Sequence, residues 1–126
     1  MSLRQAKPTF DIATLLDNDG KIQVAALVAA LNIDRRTLAT IAGLPRTTLT
    51  KTAGPRPQAV EERLREIVDI LATVVPWSGS PQQALAWYRA QPLPGFGHLT
   101  AQDLVKNCRA AAVKTHLAAI AAGGYA

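Results

Sequence analysis

Four side chains in segment 46–51 have the chemistry needed to read DNA: Arg46, Thr47, Thr50 and Lys51. Arginine can donate two parallel hydrogen bonds to guanine, and threonine can contact base edges or the thymine methyl group. We expect a short helix over 46–51 with these residues on its outer face, because the first residues of a recognition helix face the major groove. The pattern therefore predicts DNA binding by this segment.

The charge distribution around this segment agrees with that prediction. Between positions 35 and 60 the chain has no acidic residue and five basic ones, which are Arg35, Arg36, Arg46, Lys51 and Arg56. A basic surface attracts phosphate groups, although many basic proteins bind no nucleic acid. We add Arg35 and Arg36 to the predicted DNA contacts. The alternative is a solvated basic surface without a DNA partner.

Three smaller residues explain how such a segment would be positioned. A helix-turn-helix needs a small residue where its helices pack, glycine in the turn and an apolar residue inside the second helix. Ala39, Gly43 and Leu49 satisfy these needs at offsets of four and ten. The motif resembles the Xre/Cro-type helix-turn-helix, which implies helices over 35–42 and 46–51 and operator DNA as a partner.

The remaining reactive residues do not form a catalytic or metal-binding pattern. His98 and His116 lie on different predicted elements without a second ligand at zinc spacing. Cys108 has no C-x-x-C partner, and we expect it to pack at a helix junction. The G-x-G at 95–97 follows no strand, so it does not indicate a dinucleotide loop. We predict no enzymatic activity, no metal and no cofactor.

A long helix is predicted over 58–75, and Pro76 is expected to end it. Asp34 is expected to cap the earlier helix that begins at 35. Its apolar residues recur at spacings of four and three, and Val68 and Val75 widen the stripe formed by Val60, Leu64, Ile67, Leu71 and Val74. The stripe predicts a core helix. It is also typical of a dimer seam, and one wide stripe can serve both purposes.

The last third, 80–126, predicts three short helices. Ser80 and Pro81 begin the first, Thr100 with Asp103 caps the second, and the third runs over 109–122. Asn107 could supply a left-handed residue at the junction before the third helix, since Asn tolerates that conformation, and the exact position of the junction stays open. Trp87 and Tyr88 are adjacent on the first helix and point about 100° apart, so one should be core and the other can face a partner.

The order of these features is similar to the C-terminal toxin-binding domain of the Xre/MbcA/ParS-type antitoxins. The resemblance rests on the Trp-containing helix, the LPGFGHL loop, the T-x-x-D-L-V helix start and the final G-G-Y-A. It implies a RES-domain toxin that consumes NAD as the partner, with the antitoxin's C-terminal end in the toxin's NAD-binding cleft. The toxin-contacting residues it implies are Gly123, Gly124, Tyr125, Ala126, Trp87 and Tyr88.

Two interpretations of the tail and of the protein remain open. Tyr125 either inserts into a partner or packs on its own domain. The protein is either a type II antitoxin that also represses its operon, or a stand-alone Xre-like transcriptional regulator whose C-terminal part only dimerises. A homodimer is expected in both cases, because two reading units match a two-fold operator.

Composition sets the frame for these predictions. The 126 residues are 48% hydrophobic and 5% aromatic, with a net charge of +5 and one cysteine. Few β-branched residues alternate with polar ones, so we predict an all-α fold. We expect a DNA-binding region at 1–57, a central helix and linker at 58–79 and a toxin-binding domain at 80–126. The single cysteine and the lack of a signal or spanning segment predict a cytoplasmic protein without membrane contact.

Overall fold

The protein is all-α, as predicted. A computed structural model describes residues 10–50 and 55–123. These residues contain no strand, only two isolated β-bridges. A 3-10 helix, Ile12–Leu15, precedes six α-helices: α1 Val24–Leu31, α2 Arg35–Ile41, α3 Gln58–Ser78, α4 Pro81–Ala90, α5 Ala101–Lys106 and α6 Ala110–Ala121.

The long helix α3 is the centre of the packing. It contacts α4, α5, α6 and the 3-10 helix. Its predicted stripe is buried at every position except the half-buried Val60, and the buried members are Leu64, Ile67, Val68, Leu71, Val74 and Val75. The interpretation of this stripe as core is confirmed. Because the chain's own helices cover these side chains, they are not free to form a seam with a second copy.

The end of α3 differs from the prediction. Pro76 lies inside the helix, which continues to Ser78. A proline near the end of a helix removes one hydrogen bond, yet its φ is compatible with helical backbone. Gly79 ends the helix instead: its φ is +101°, and its amide donates to the Val75 carbonyl at 2.9 Å. The left-handed glycine is therefore the stop signal.

One hydrophobic core extends through all three predicted regions. It includes Leu27 and Leu38 from 1–57, the α3 stripe from 58–79, and Leu104 and Val113 from 80–126. A polar contact also joins the first two regions, since Arg56 donates to the Ile22 carbonyl and forms an ion pair with Glu61 at 2.8 Å. The three functional regions stay a prediction, and they pack as one unit.

The predicted helix starts in the C-terminal region are confirmed. Ser80 Oγ accepts from the Gln83 amide at 3.0 Å, and Pro81 follows as the first helical residue. Thr100 and Asp103 form a reciprocal capping box at the start of α5. Asn107 does not supply the left-handed residue at the junction: its φ is −92°, and Cys108 adopts the left-handed conformation at +61°.

The short helix α2 depends on partners at both ends. At its start, Asp34 accepts from the Thr37 amide at 2.7 Å, and this bond lowers the pKa of the Asp34 carboxyl below its usual 3.8. The cap therefore contributes stability above the unfolded pKa and loses it as pH falls through the folded one. At its end, the Ile41 carbonyl accepts from Tyr88 Oη at 3.0 Å, and the Ala42 carbonyl accepts from Arg63.

We expect Tyr88→Phe to lower the free energy of unfolding by about 1–2 kcal/mol, because the buried Ile41 carbonyl loses its hydrogen-bond partner. Urea titration followed by circular dichroism measures the change. Thr73→Val is the matched control, since the exposed Thr73 hydroxyl also donates to a carbonyl, that of Asp69. The control should stay within about 0.5 kcal/mol. Equal losses in the two variants would contradict a special role for the Tyr88 bond.

Candidate functional site

The residues predicted to shape the helix-turn-helix occupy the expected environments. Ala39 and Leu49 are buried, and Gly43 has a φ of +73° in the turn after α2. A Cβ atom at Gly43 would lie 2.9 Å from Lys106 Cγ and 3.1 Å from Arg63 Nη1. Glycine is therefore required there both by the backbone conformation and by the close approach of α3 and α5.

The second helix of the predicted motif is not present in residues 46–50. These residues form consecutive turns, in which the Thr48 amide donates to Pro45 at 3.0 Å and the Thr50 amide to Thr47 at 3.2 Å. Three of the five residues are threonines, which lose side-chain freedom in a helix. The segment is also too short to offset the cost of helix nucleation. The predicted helix over 46–51 is therefore wrong for the described part, 46–50.

The predicted DNA-contacting residues fall into two groups. Arg36, Arg46, Thr47 and Thr50 are exposed. Arg35 is half-buried, and its Nη1 donates to the Leu49 carbonyl at 3.2 Å. Arg35 thus holds the turn segment against the start of α2 and has a structural role here. Lys51 lies outside the described residues.

Segment 46–50 runs back along α2. Gly43 follows the C-terminal end of α2, whereas Leu49 lies beside Arg35 at its N-terminal end. Within the described ranges, Arg36 and Arg46 have no ion-pair partner, while Arg56 is engaged with Glu61. The free positive charge of this face therefore comes from Arg36 and Arg46, which are accessible to phosphate oxygens.

The adjacent aromatic residues of α4 separate as expected. Tyr88 is fully buried, and this burial raises the pKa of its hydroxyl well above 10.0, so the hydroxyl stays a hydrogen-bond donor. Tyr88 is buried in the chain without a partner, so the prediction that it contacts a toxin stays a prediction and would require this side chain to become accessible. Trp87 is half-buried and packs at the edge of the core. It is the member of the pair that faces outward.

Trp87 lines an apolar groove between the end of α3, α4 and α6. The groove has a volume of about 220 Å³ and is lined by Val74, Trp77, Ser78, Trp87, Leu117 and Ile120. Trp77 is 50% exposed and is the most prominent apolar side chain on the described surface. The two tryptophans of the chain therefore meet at one groove.

Sequence reasoning missed this groove because Pro76 was taken as the end of α3. Once the helix continues, Trp77 and Ser78 follow Val74 at spacings of three and four, which places them on one face. The spacing itself was present in the sequence. Half of the Trp77 surface is accessible to solvent.

A second cluster of aromatic and basic residues lies at the loop after α4. The Arg109 guanidinium carbon is 5.6 Å from the Phe96 ring centroid, and the His116 ring meets the same Phe96 edge-on at 6.5 Å. The left-handed residues Gly95, Gly97 and His98 give the loop its turns. These contacts fasten the loop to α6.

The predicted tail contacts begin where the described residues end. Gly123 has a φ of +85°, and its amide donates to the Ile120 carbonyl at 2.9 Å. This bond and conformation end α6 in the manner of a Schellman motif. Gly124, Tyr125 and Ala126 lie outside the described residues.

Two further observations describe the rest of the surface. Over 10–50 and 55–123, no three histidine, cysteine, aspartate or glutamate residues come together as a metal ion would require. Within the same ranges, every helix is too short or too polar to cross a lipid bilayer.

No known protein family, characterised protein or solved structure matches this chain.

We expect Gly43→Ala to lower the free energy of unfolding more than Gly20→Ala does. Both glycines have a left-handed φ, +73° and +76°, but a Cβ at Gly20 meets no atom within 4 Å. Gly20→Ala should cost about 1–2 kcal/mol from backbone strain alone. Gly43→Ala adds the clash with Lys106 Cγ at 2.9 Å and a tight contact with Arg63, whose guanidinium is held by the Ala42 carbonyl. Equal losses in urea titrations would show that the close packing at Gly43 is unimportant.

Proposed function

We propose that this protein is the antitoxin of a type II toxin–antitoxin pair. In this proposal it neutralises a RES-domain toxin that consumes NAD, and its C-terminal segment enters the toxin's active-site cleft. The proposal also places the protein in the cytoplasm and includes repression of its own operon through DNA. It rests on the resemblance of the C-terminal third to the Xre/MbcA/ParS-type antitoxins, and one structural observation supports it most directly.

That observation is the way α6 ends. Helix α6 ends at Ala121, and Gly123 beyond it has a left-handed φ of +85°, so the helix stops just before the residues that the resemblance implicates in toxin contact. Gly124 has no Cβ atom, which favours close approach of its backbone to a protein surface. Tyr125 brings an aromatic ring that can stack where a dinucleotide base would otherwise lie.

The arrangement of the C-terminal region supports the same proposal. Helices α4, α5 and α6 pack in sequence, α4 on α5 and α5 on α6, and α3 supports all three. The Thr100–Asp103 capping box fixes the start of α5 in this module. A segment that follows such a packed module is presented from a rigid base, which lowers the entropy lost on binding.

We expect a chain ending at Gly123 to lose toxin neutralisation while remaining folded. The test is co-expression of each variant with the neighbouring open reading frame, with growth and co-purification as readouts. Tyr125→Ala should impair rescue of growth, and Tyr125→Phe, which keeps the ring, should retain most of it. Circular dichroism and urea titration establish that each variant folds. Full rescue by the chain ending at Gly123 would refute the proposed mechanism, and a harmless neighbour that does not co-purify would refute the antitoxin proposal.

The DNA-binding part of the proposal is supported by Arg36 on α2 and Arg46 after it, which are exposed and form no ion pair with another described residue. Because residues 46–50 form turns, any base contacts would come from a loop held by Arg35 and Leu49. The same face also supports the second candidate function, a stand-alone transcriptional regulator. The two candidates differ in the tail, since only the antitoxin needs residues 124–126. The homodimer stays a prediction and requires a surface other than the buried α3 stripe.

We expect Arg46→Ala and Arg36→Ala each to weaken binding to DNA from the protein's own promoter. Each change should reduce the slope of log affinity against log salt by about one, as for one lost phosphate contact. Fluorescence anisotropy at several salt concentrations measures both quantities. Arg89→Ala is the matched control, because Arg89 is exposed at the end of α4 and its loss changes the net charge equally. Equal effects of all three changes would indicate nonspecific attraction and no DNA-reading face.

A further inference from the structure

We propose that the side chain of Tyr125 occupies the Trp77–Trp87 groove when the chain is free. The groove is then an intramolecular binding site, called here the internal seat, for the segment that follows α6. This inference goes beyond the proposed function and does not depend on it, because it concerns the chain without any partner. Four properties of the groove point to this occupant.

The first property is the chemistry of the lining. Val74, Leu117 and Ile120 form its aliphatic part, and Trp77 and Trp87 supply two aromatic faces. The lining contains no charged side chain, so an ionic ligand would find no compensating charge there. Aromatic rings gain more than simple area burial by packing against other aromatic rings. The groove is therefore suited to an uncharged aromatic group.

The second property is the single hydroxyl in the lining, that of Ser78. Its Oγ lies 3.4 Å from the Val75 carbonyl and 3.3 Å from the Ser80 carbonyl, so its one hydrogen has long bonds and its lone pairs are unused. A phenol that enters an apolar site needs a hydrogen-bond partner for its O–H group. Ser78 offers that partner as an acceptor, which distinguishes tyrosine from phenylalanine as an occupant.

The third property is size. The groove volume of about 220 Å³ lies below the roughly 300 Å³ at which sites for small-molecule ligands usually begin. A single large side chain fills a space of this size, whereas a partner helix would place only a small part of its own length in the groove. Burying one aromatic side chain removes roughly 150–250 Å² of surface from water. That gain is large enough to hold a short tether.

The fourth property is reach. Ile120, which lines the groove, is three residues before Gly123, and neighbours at this spacing lie about 5–6 Å apart on a helix. Tyr125 is two residues beyond Gly123, and two residues extend at most about 7 Å. Gly123 is left-handed, which is the conformation that ends a helix and lets the following residues leave the helix axis. The tether therefore brings the Tyr125 ring within reach of the groove.

An internal seat has a consequence for any partner that takes the same segment. The partner binds only the fraction of molecules in which the segment is free, so its apparent affinity is reduced by that fraction. The effective concentration of a ring tethered by two residues is high, which keeps the groove occupied at every protein concentration. The seat also covers apolar surface around Trp77 that would otherwise be open to nonspecific association.

The chain provides its own probe, since both of its tryptophans line the groove. Tyr125→Ala should shift the tryptophan emission to longer wavelength and raise the acrylamide quenching constant roughly two-fold, because Trp77 and Trp87 lose a packed ring. Tyr125→Phe should change both readings less. In the unaltered chain, nuclear Overhauser effects should connect the Tyr125 ring protons with both indoles. His98→Ala, at an exposed loop position, is the control variant.

Three outcomes would overturn the proposal. Unchanged fluorescence in Tyr125→Ala together with absent Overhauser effects would show that the groove is open in the free chain. Quenching that depends on protein concentration, with Trp77→Ala abolishing a dimer seen by light scattering, would assign the groove to a second copy. Overhauser effects from another segment would assign it to that segment. No toxin or DNA is present in these measurements, so their result is separate from that of the co-expression test.

Discussion

The carbonyls of Ile41, the last residue of α2, and of Ala42, its C-cap, are the constraint on which the rest of the structure depends. A seven-residue helix gains little from its own hydrogen bonds, because nucleation costs more than two turns return. Ile41 and Ala42 end this helix inside the core, where water is not available to their carbonyl groups. Tyr88 from α4 and Arg63 from α3 supply the two donors. The C-terminal end of α2 therefore depends on hydrogen bonds from α3 and α4.

This dependence explains why three regions with separate predicted roles share one core. The turn after α2 depends on Gly43, because a Cβ atom at this position would meet the Arg63 side chain of α3 and the Lys106 side chain of α5. Arg63 takes part in both features. Its guanidinium donates to the Ala42 carbonyl, and its Nη1 lies 3.1 Å from the position that a Cβ atom at Gly43 would occupy. An isolated fragment 1–57 would lack both donors and the helices that cover these carbonyls, so its apolar side chains would lose most of the core they pack against. The chain behaves as a single cooperative unit in its packing.

Local signals in the sequence predicted much of this structure. The caps at Asp34, Ser80 and Thr100 and the core stripe of α3 follow from short-range chemistry, and they are confirmed. The errors occur where tertiary contacts decide between local alternatives. Cys108 is left-handed although Asn107 is the better local candidate, and its Sγ lies 3.5 Å from the Arg63 guanidinium. Residues 46–50 are held by Arg35 and Leu49 without forming a helix. The exposed groove requires knowing that α3 passes Pro76, which depends on Gly79.

Helix α4 connects the two exposed surfaces of the described chain. Its Tyr88 faces inward and holds α2, whereas Trp87, about 100° around the helix, faces the groove at α6. The positions of the two side chains are linked through one rigid backbone. A ligand shifts a conformational equilibrium only when it has different affinities for the two states. Coupling between groove and basic face thus requires that α4 move when the groove is filled. The buried Tyr88–Ile41 bond opposes such movement, because breaking it would leave a donor and an acceptor unpaired in the core. This bond favours two surfaces that act independently on a common frame.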